Sequence, residues 1–106
     1  MGLFNFPSIK LDDLNGAEDA AVRAAMEVAI NIGADKALDG KLSKAYRHYK
    51  KCRVTHDDLT VIIAAVAAAM DSLKGDSNDL RSTELEGMGV AVVAMALALN
   101  KLTKKL

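Results

Sequence analysis

The chain has 106 residues, enough for one domain with a modest hydrophobic core. It is 51% hydrophobic but only 4% aromatic, with one proline and no tryptophan, a composition that favours helices. The formal net charge is zero, which argues against a dedicated nucleic-acid domain, and the single cysteine excludes an internal disulfide. No apolar run approaches the roughly 20 residues of a membrane span, and Pro7 interrupts the short apolar start that a signal peptide would extend. We therefore expect a soluble, cytoplasmic protein that does not bind membranes.

Residues 1–16 are predicted to form an irregular arm ahead of a single helical domain at 17–106. Asn15 or Asp19 is expected to cap a first helix, and Gly33 is expected to end it. The apolar residues of the arm are spaced so that they could pack across the surface of a helix: Phe4, Phe6, Ile9, Leu11 and Leu14.

A helix is predicted through 41–53, and the residues after it contain a signal for the start of a third helix. Thr55 with Asp58 three residues later resembles a capping box, and Val54 with Leu59 fits the flanking hydrophobic staple. The third helix has largely alanine on one side, so we expect it at the centre of the fold. Its other side repeats bulky apolar residues at helical spacing: Leu59, Ile62, Ile63, Val66, Met70 and Leu73.

Thr83 and Glu86 offer a second capping box for a last helix that ends near Leu102. This helix has a stripe of small residues and a stripe of bulky ones: Gly87, Ala91, Ala94 and Ala98, then Val92, Met95, Leu99 and Leu102. Since two apolar stripes need two neighbours, we expect a homo-oligomer in which one stripe faces a second subunit. Four helices with short connections predict an all-α fold, a small four-helix bundle.

Residues 41–53 contain six of the fourteen Lys and Arg residues and no acid, which leaves a net charge of −6 on the rest. On a helix the segment divides into two faces. The apolar face has Leu42, Ala45, Tyr46, Tyr49 and Cys52, and the cationic face has Lys44, Arg47, His48 and Lys51. Charge segregation of this kind favours docking to an acidic surface, with tyrosines stacking or hydrogen-bonding at the rim. We predict a non-enzymatic protein–protein interaction domain, of inhibitor, immunity or adaptor type, that binds through six residues: Lys44, Arg47, His48, Lys51, Tyr46 and Tyr49.

Two other interpretations of the basic segment remain open. Many charge runs are solvated helix faces, and the tyrosines would then simply close the core. Alternatively the protein associates with nucleic acid, although the sequence pI of about 6.7 disfavours a long polyanion. The cations available for that role are Lys44, Arg47, Lys50, Lys51 and Arg53, with Lys101, Lys104 and Lys105 near the C-terminus.

A zinc module is a further alternative, because His48, Cys52 and His56 recur every four residues. The Thr55 cap opposes this interpretation, since it predicts that the preceding helix ends before His56. A fourth histidine or cysteine ligand is also missing from the chain.

A calcium module is the other metal alternative. Asp35, Asp39 and Gly40 match positions 1, 5 and 6 of an EF-hand loop, but Tyr46 replaces its bidentate glutamate. The Asp39–Gly40 pair followed by Ser43 resembles the degenerate loops of TerB-type helical domains, without their following acidic residue or a second copy. We predict no metal, no cofactor and no catalytic residue, because no enzyme motif is present.

Overall fold

The computed structural model describes residues 8–75 and 82–106, and these ranges form the predicted all-α bundle. Of the five helices in these ranges, the second is a single turn in the connection between the first and second predicted helices, and the other four are longer. Within the described ranges no helix is long and apolar enough to cross a membrane. The helices are α1 (Gly16–Asn31), α2 (Ala34–Ala37), α3 (Lys41–Lys50), α4 (His56–Gly75) and α5 (Ser82–Thr103).

Helix α1 is capped by Asn15, one of the two residues predicted for this role, and the cap is a capping box. The Asn15 side-chain oxygen accepts a hydrogen bond from the Glu18 backbone N–H at 2.8 Å, and Glu18 Oε1 accepts one from the Asn15 N–H at 3.0 Å. The helix ends at Asn31, and Gly33 follows with a φ of 92°, a left-handed conformation that glycine adopts without steric cost. One side of α1 is fully buried, through Val22, Ala25, Met26 and Ala29.

Helix α4, which was predicted to be central, packs against α1, α3 and α5, and it shares the centre of the bundle with α1, which contacts all four other helices. Thr55 Oγ1 accepts from the Asp58 N–H at 3.2 Å, and Asp58 Oδ2 accepts from the Thr55 N–H at 3.0 Å. This confirms the capping box, and Val54 and Leu59 beside it are both buried. The α4 core residues include members of both predicted sides: Leu59, Ile62, Ala65, Val66 and Ala69.

The packing of α5 differs from the prediction. The two stripes lie roughly 90° apart around the helix, so they merge into one wide face that packs inside the chain. Met95, Ala98 and Leu102 are buried, and Ala91, Val92, Ala94 and Leu99 are half-buried. Both stripes therefore contact other helices of the same chain, and the association of α5 with a second subunit stays a prediction. Gly87 and the predicted Thr83–Glu86 capping box lie outside the described side chains.

The described part of the N-terminal arm is held against the bundle. The Ile9 N–H donates a 2.7 Å hydrogen bond to the Val54 carbonyl, and Ile9, Leu11 and Leu14 pack against the core. At the other end of the arm, Lys101 Nζ donates to the Asp13 carbonyl at 2.9 Å and to Glu18 Oε1 at 2.6 Å. These contacts join the arm to the cap of α1 and the last turn of α5. Phe4 and Phe6 lie outside the described residues.

Candidate functional site

The start of α3 is capped by an aspartate from the preceding connection. Gly40 precedes the helix with a φ of 78° and has no side chain with which to cap it. Asp35 takes over that role, because its carboxylate accepts from the Ser43 N–H at 2.9 Å and from the Ser43 hydroxyl at 2.7 Å. These hydrogen bonds hold the pKa of Asp35 below its usual value. Both oxygens of the carboxylate that the calcium alternative would need are thus engaged within the chain.

The end of α3 corrects the predicted extent of the basic helix. The helix stops at Lys50, and Cys52 follows with a φ of 56°. The Arg53 N–H donates to the His48 carbonyl at 2.9 Å and the Cys52 N–H to the Tyr49 carbonyl at 3.1 Å, which is a Schellman motif. Cys52 is therefore exposed beyond the helix and does not belong to the predicted apolar face.

The cationic face is presented on the side of α3 that points away from the core. Leu42, Ala45 and Tyr49 are buried on one side of the helix. Lys44, Arg47 and Lys51 lie on the opposite side of the segment and are exposed. Among the described residues none of these three cations has a carboxylate within ion-pair distance. The basic face (Lys44, Arg47 and Lys51) is thus a surface of unneutralised positive charge, flanked by exposed Lys41, Lys50 and Arg53.

Tyr46 lies at the edge of the basic face. Its hydroxyl donates a 2.7 Å hydrogen bond to Glu27 Oε1 on α1, and this bond raises the pKa of the Tyr46 phenol. The Lys50 ammonium lies 4.4 Å from the centre of the Tyr46 ring, within range of a cation–π interaction. Tyr46 therefore occupies the predicted rim position, but its hydroxyl already has a partner.

Tyr49 is a core residue, only 5% exposed. Its hydroxyl donates to Asp19 Oδ1 at 2.6 Å, and Asp19 Oδ2 also pairs with Arg23 Nε at 3.2 Å. Burial first, and then the hydrogen bond to Asp19, raise the pKa of Tyr49 well above its usual value. Tyr49 thus joins α3 to α1 and leaves no hydroxyl free for a binding partner.

His48 joins α3 to the start of α4. Its Nδ1 lies 2.7 Å from Asp58 Oδ2, the same oxygen that accepts from the Thr55 N–H. Burial alone would raise the pKa of Asp58, but the hydrogen bonds from Thr55 and His48 together lower it below its usual value. Because His48 is half-buried and hydrogen-bonded to Asp58, it holds α3 against α4 and adds little to the exposed cationic surface.

The zinc alternative finds no support in this geometry. The Schellman turn at Cys52 separates His48 from His56, which is the first residue of α4. Across the described side chains, no group of three or more His, Cys, Asp or Glu residues is arranged to hold a metal ion.

An open groove of about 700 Å³ lies between the arm, α1 and the end of α3. Arg23 and Asp19 contribute opposite charges to its lining, and no histidine lines it, so the Cys52 thiol there has no imidazole base. The groove is lined by Ser8, Ile9, Lys10, Leu11, Asp12, Asp19, Arg23, Tyr49, Cys52 and Val54.

The acids that hold the two tyrosines, Asp19 and Glu27, were not among the predicted site residues. Asp19, Arg23 and Glu27 follow one another at four-residue spacing in the first helix, and this places them on one side of it. That spacing was the available signal, since a carboxylate on the neighbouring helix is the natural partner of a half-buried phenol. No protein-family model, curated protein or solved structure matches the chain.

Proposed function

We propose that the protein is a non-enzymatic interaction domain that docks an acidic protein surface through the basic face. The observation that carries the proposal is that Lys44, Arg47 and Lys51 are exposed together without a carboxylate partner among the described residues. By contrast, Arg23, Lys101 and Lys105 each pair with an acid of the chain. Concentrated, unneutralised charge steers an oppositely charged partner and selects against wrong ones.

The opposite side of α3 supports the proposal by holding the basic face in one place. Tyr49 is hydrogen-bonded to Asp19 on α1, and His48 is hydrogen-bonded to Asp58 in the first turn of α4. A helix anchored at several points needs little reordering when a partner binds, and this lowers the entropic cost of association. The geometry suits an inhibitor, immunity or adaptor role, in which a small rigid domain covers a larger partner.

An acidic protein fits the surroundings of the basic face better than nucleic acid does. Glu27 lies at the Tyr46 edge and Asp57 is exposed in the first turn of α4. A carboxylate such as Glu27 beside Tyr46 repels the continuous phosphates of a duplex, whereas a protein surface can place its own cation opposite it.

A cytoplasmic location is part of the same proposal. It is supported by the exposed free thiol of Cys52, because oxidising compartments favour the conversion of such thiols to disulfides.

The test compares Lys44→Glu/Lys51→Glu with Lys36→Glu/Lys104→Glu, a control with the same change in charge at exposed positions outside α3. Binding of a polyglutamate peptide and of a short DNA duplex is measured by calorimetry at about 50 mM salt, where phosphate contacts are strong. We expect the basic-face variant to lose at least roughly tenfold in peptide affinity, about 1.4 kcal/mol, while the control changes little.

Two outcomes would oppose the proposal. Equal peptide affinity of the two double variants would mean that the basic face is only a solvated surface. Tighter binding of the duplex than of the peptide, with the loss confined to Lys44→Glu/Lys51→Glu, would favour the nucleic-acid alternative. Circular dichroism should report the same helix content in both variants, since all four positions are exposed.

A further inference from the structure

The histidine of α3 lies between two cations of the basic face. Lys44 precedes His48 by four residues and Lys51 follows it by three, so each lies about one helical turn from the imidazole. The ring also reaches α4, where Nδ1 lies 2.7 Å from Asp58 Oδ2. The side chain of His48 is 32% exposed, whereas that of Asp58 is 9% exposed. A group that can gain a positive charge therefore lies between the basic face and a largely buried carboxylate.

The hydrogen bond to Asp58 determines which nitrogen of His48 can gain a proton. Burial opposes ionisation of Asp58, but the hydrogen bonds from Thr55 and His48 keep its pKa below the usual value, so it is ionised at neutral pH. An ionised carboxylate only accepts hydrogen bonds, so Nδ1 of a neutral His48 carries the hydrogen that is donated. Protonation then takes place at Nε2 and leaves the bond to Asp58 in place. The ring can thus change its charge without moving.

The charges nearest to His48 act on its protonation in opposite directions. On α3, the cations Lys44, Arg47 and Lys51 oppose a further positive charge, whereas Asp58 on α4 favours it. A docked partner would bring carboxylates to the side of the cations, and these would favour protonation. Binding and protonation therefore favour each other, because the coupling between two equilibria is the same in both directions.

The other charged groups on the elements that pack against α3 are engaged elsewhere or exposed to water. The acids of α1 and α2 have partners other than His48, since Asp19 and Glu27 accept from the tyrosines and Asp35 accepts from Ser43. The connection to α4 and its first turn also carry exposed charged or titratable groups, whose effect on the ring water screens: Arg53, His56 and Asp57. Asp58 is thus the acid that acts most strongly on His48.

We propose that docking of an acidic partner is coupled to protonation of His48, so that the chain takes up protons on binding and holds the partner more tightly in mild acid. This inference rests on the proposed function of the basic face and adds its regulation. A neutral imidazole leaves the charge of Asp58 uncompensated beside the cations, whereas an imidazolium compensates it. Histidine is the side chain whose charge ordinarily changes between about pH 5 and 8.

Calorimetry on the native chain measures the proton uptake directly. The probe is an N-acetylated polyaspartate peptide, because its carboxylates remain ionised at about pH 6. Titrations in buffers with different ionisation enthalpies should give binding enthalpies that vary with the buffer, with a slope that corresponds to uptake of a fraction of one proton per chain. The dissociation constant should be about threefold lower at about pH 6 than at about pH 7.5, which is the effect of one added charge at a partly exposed site.

Two matched variants test whether the proton binds to His48. His48→Asn places an amide N–H near the position of Nδ1, so the variant can keep a bond to Asp58 while it loses the change in charge. It should lose the proton uptake and bind the peptide with nearly equal affinity at both pH values. His56→Asn is the control, because His56 is exposed at the start of α4, and it should keep both effects. Circular dichroism checks that both variants retain the native helix content.

Three results would overturn the inference. Equal affinity of the native chain at both pH values, with binding enthalpies that do not depend on the buffer, would mean that His48 only joins two helices, and the docking surface would stand. Loss of the two effects in His56→Asn but not in His48→Asn would place the proton on His56. Absence of peptide binding at either pH would overturn the proposed function together with the inference.

Discussion

The two tyrosines of the basic segment make the same kind of hydrogen bond in different surroundings. Tyr49 and Tyr46 each donate to a carboxylate of α1, at 2.6 Å and 2.7 Å. Tyr49 is 5% exposed, whereas the Tyr46 hydrogen bond is exposed to water. Water can replace a lost partner at the surface but not in the interior, so burial decides how much each hydroxyl contributes to stability.

Tyr49→Phe should lower the free energy of unfolding by about 1 to 2 kcal/mol, because the variant loses a partly buried bond to a charged acceptor. Tyr46→Phe is the matched control and should cost less than about 0.5 kcal/mol. Urea unfolding followed by circular dichroism measures both values. Equal losses would contradict the assignment of Tyr49 to the core and of Tyr46 to the surface.

At the scale of elements, α5 has a buried side and an exposed apolar side that hydrophobicity alone does not distinguish. Met95 is 2% exposed, while Val93, two residues earlier, is 58% exposed. Both positions are apolar and both lie in the same helix, so they provide a direct comparison of the two sides.

Met95→Asp should destabilise the chain by more than about 4 kcal/mol and leave it largely unfolded, because it buries an unpaired charge. Val93→Asp should keep the helical circular dichroism and cooperative unfolding of the native chain, since the side chain at position 93 is exposed to water. A folded Met95→Asp variant with native stability would contradict the packing of α5.

The sequence predicted where helices begin better than it predicted which helices pack against each other. The cap at Thr55 could be predicted because it is a reciprocal contact over three residues, whereas the sequence left Asn15 and Asp19 as alternative caps of α1. The packing direction of the α5 stripes could not, since it depends on where α1 and α4 lie. The same limit applies to the site: helical spacing separated the cationic face from the core face, but the partner of Tyr49 is Asp19, thirty residues away.

At the scale of the whole molecule, carboxylates hold several parts of the fold together. The pKa of Glu18 is lowered from its ordinary value of 4.5, chiefly by the hydrogen bond from Lys101 and then by the Asn15 backbone. The pKa of Asp13 is lowered from 3.8, first by its hydrogen bond with Lys105. The pKa values of Asp35 and Asp58 are also lowered. The arm, the α1 cap and the last turn of α5 therefore depend on ionised acids.

Stability should consequently fall in acid. As the pH falls, a carboxyl whose pKa is lower in the folded chain is protonated first in the unfolded chain. Its contribution to the free energy of unfolding is therefore complete above about pH 5 and is lost toward about pH 2. Urea midpoints measured across that range should decrease steadily. Glu18→Gln should be less stable at pH 7 and should show a shallower decrease, because one of the linked groups is gone. An equally steep decrease would contradict the role of the Glu18–Lys101 pair.

Amide chemical-shift mapping shows residue by residue whether the exposed cations of α3 form the docking surface. The uniformly ¹⁵N-labelled chain is titrated with a polyglutamate peptide. We expect saturable shifts that cluster in residues 41–53 and disappear in Lys44→Glu/Lys51→Glu, while Lys36→Glu/Lys104→Glu retains them. Shifts centred on α5 or on the groove beside Cys52, with residues 41–53 unchanged, would contradict this expectation.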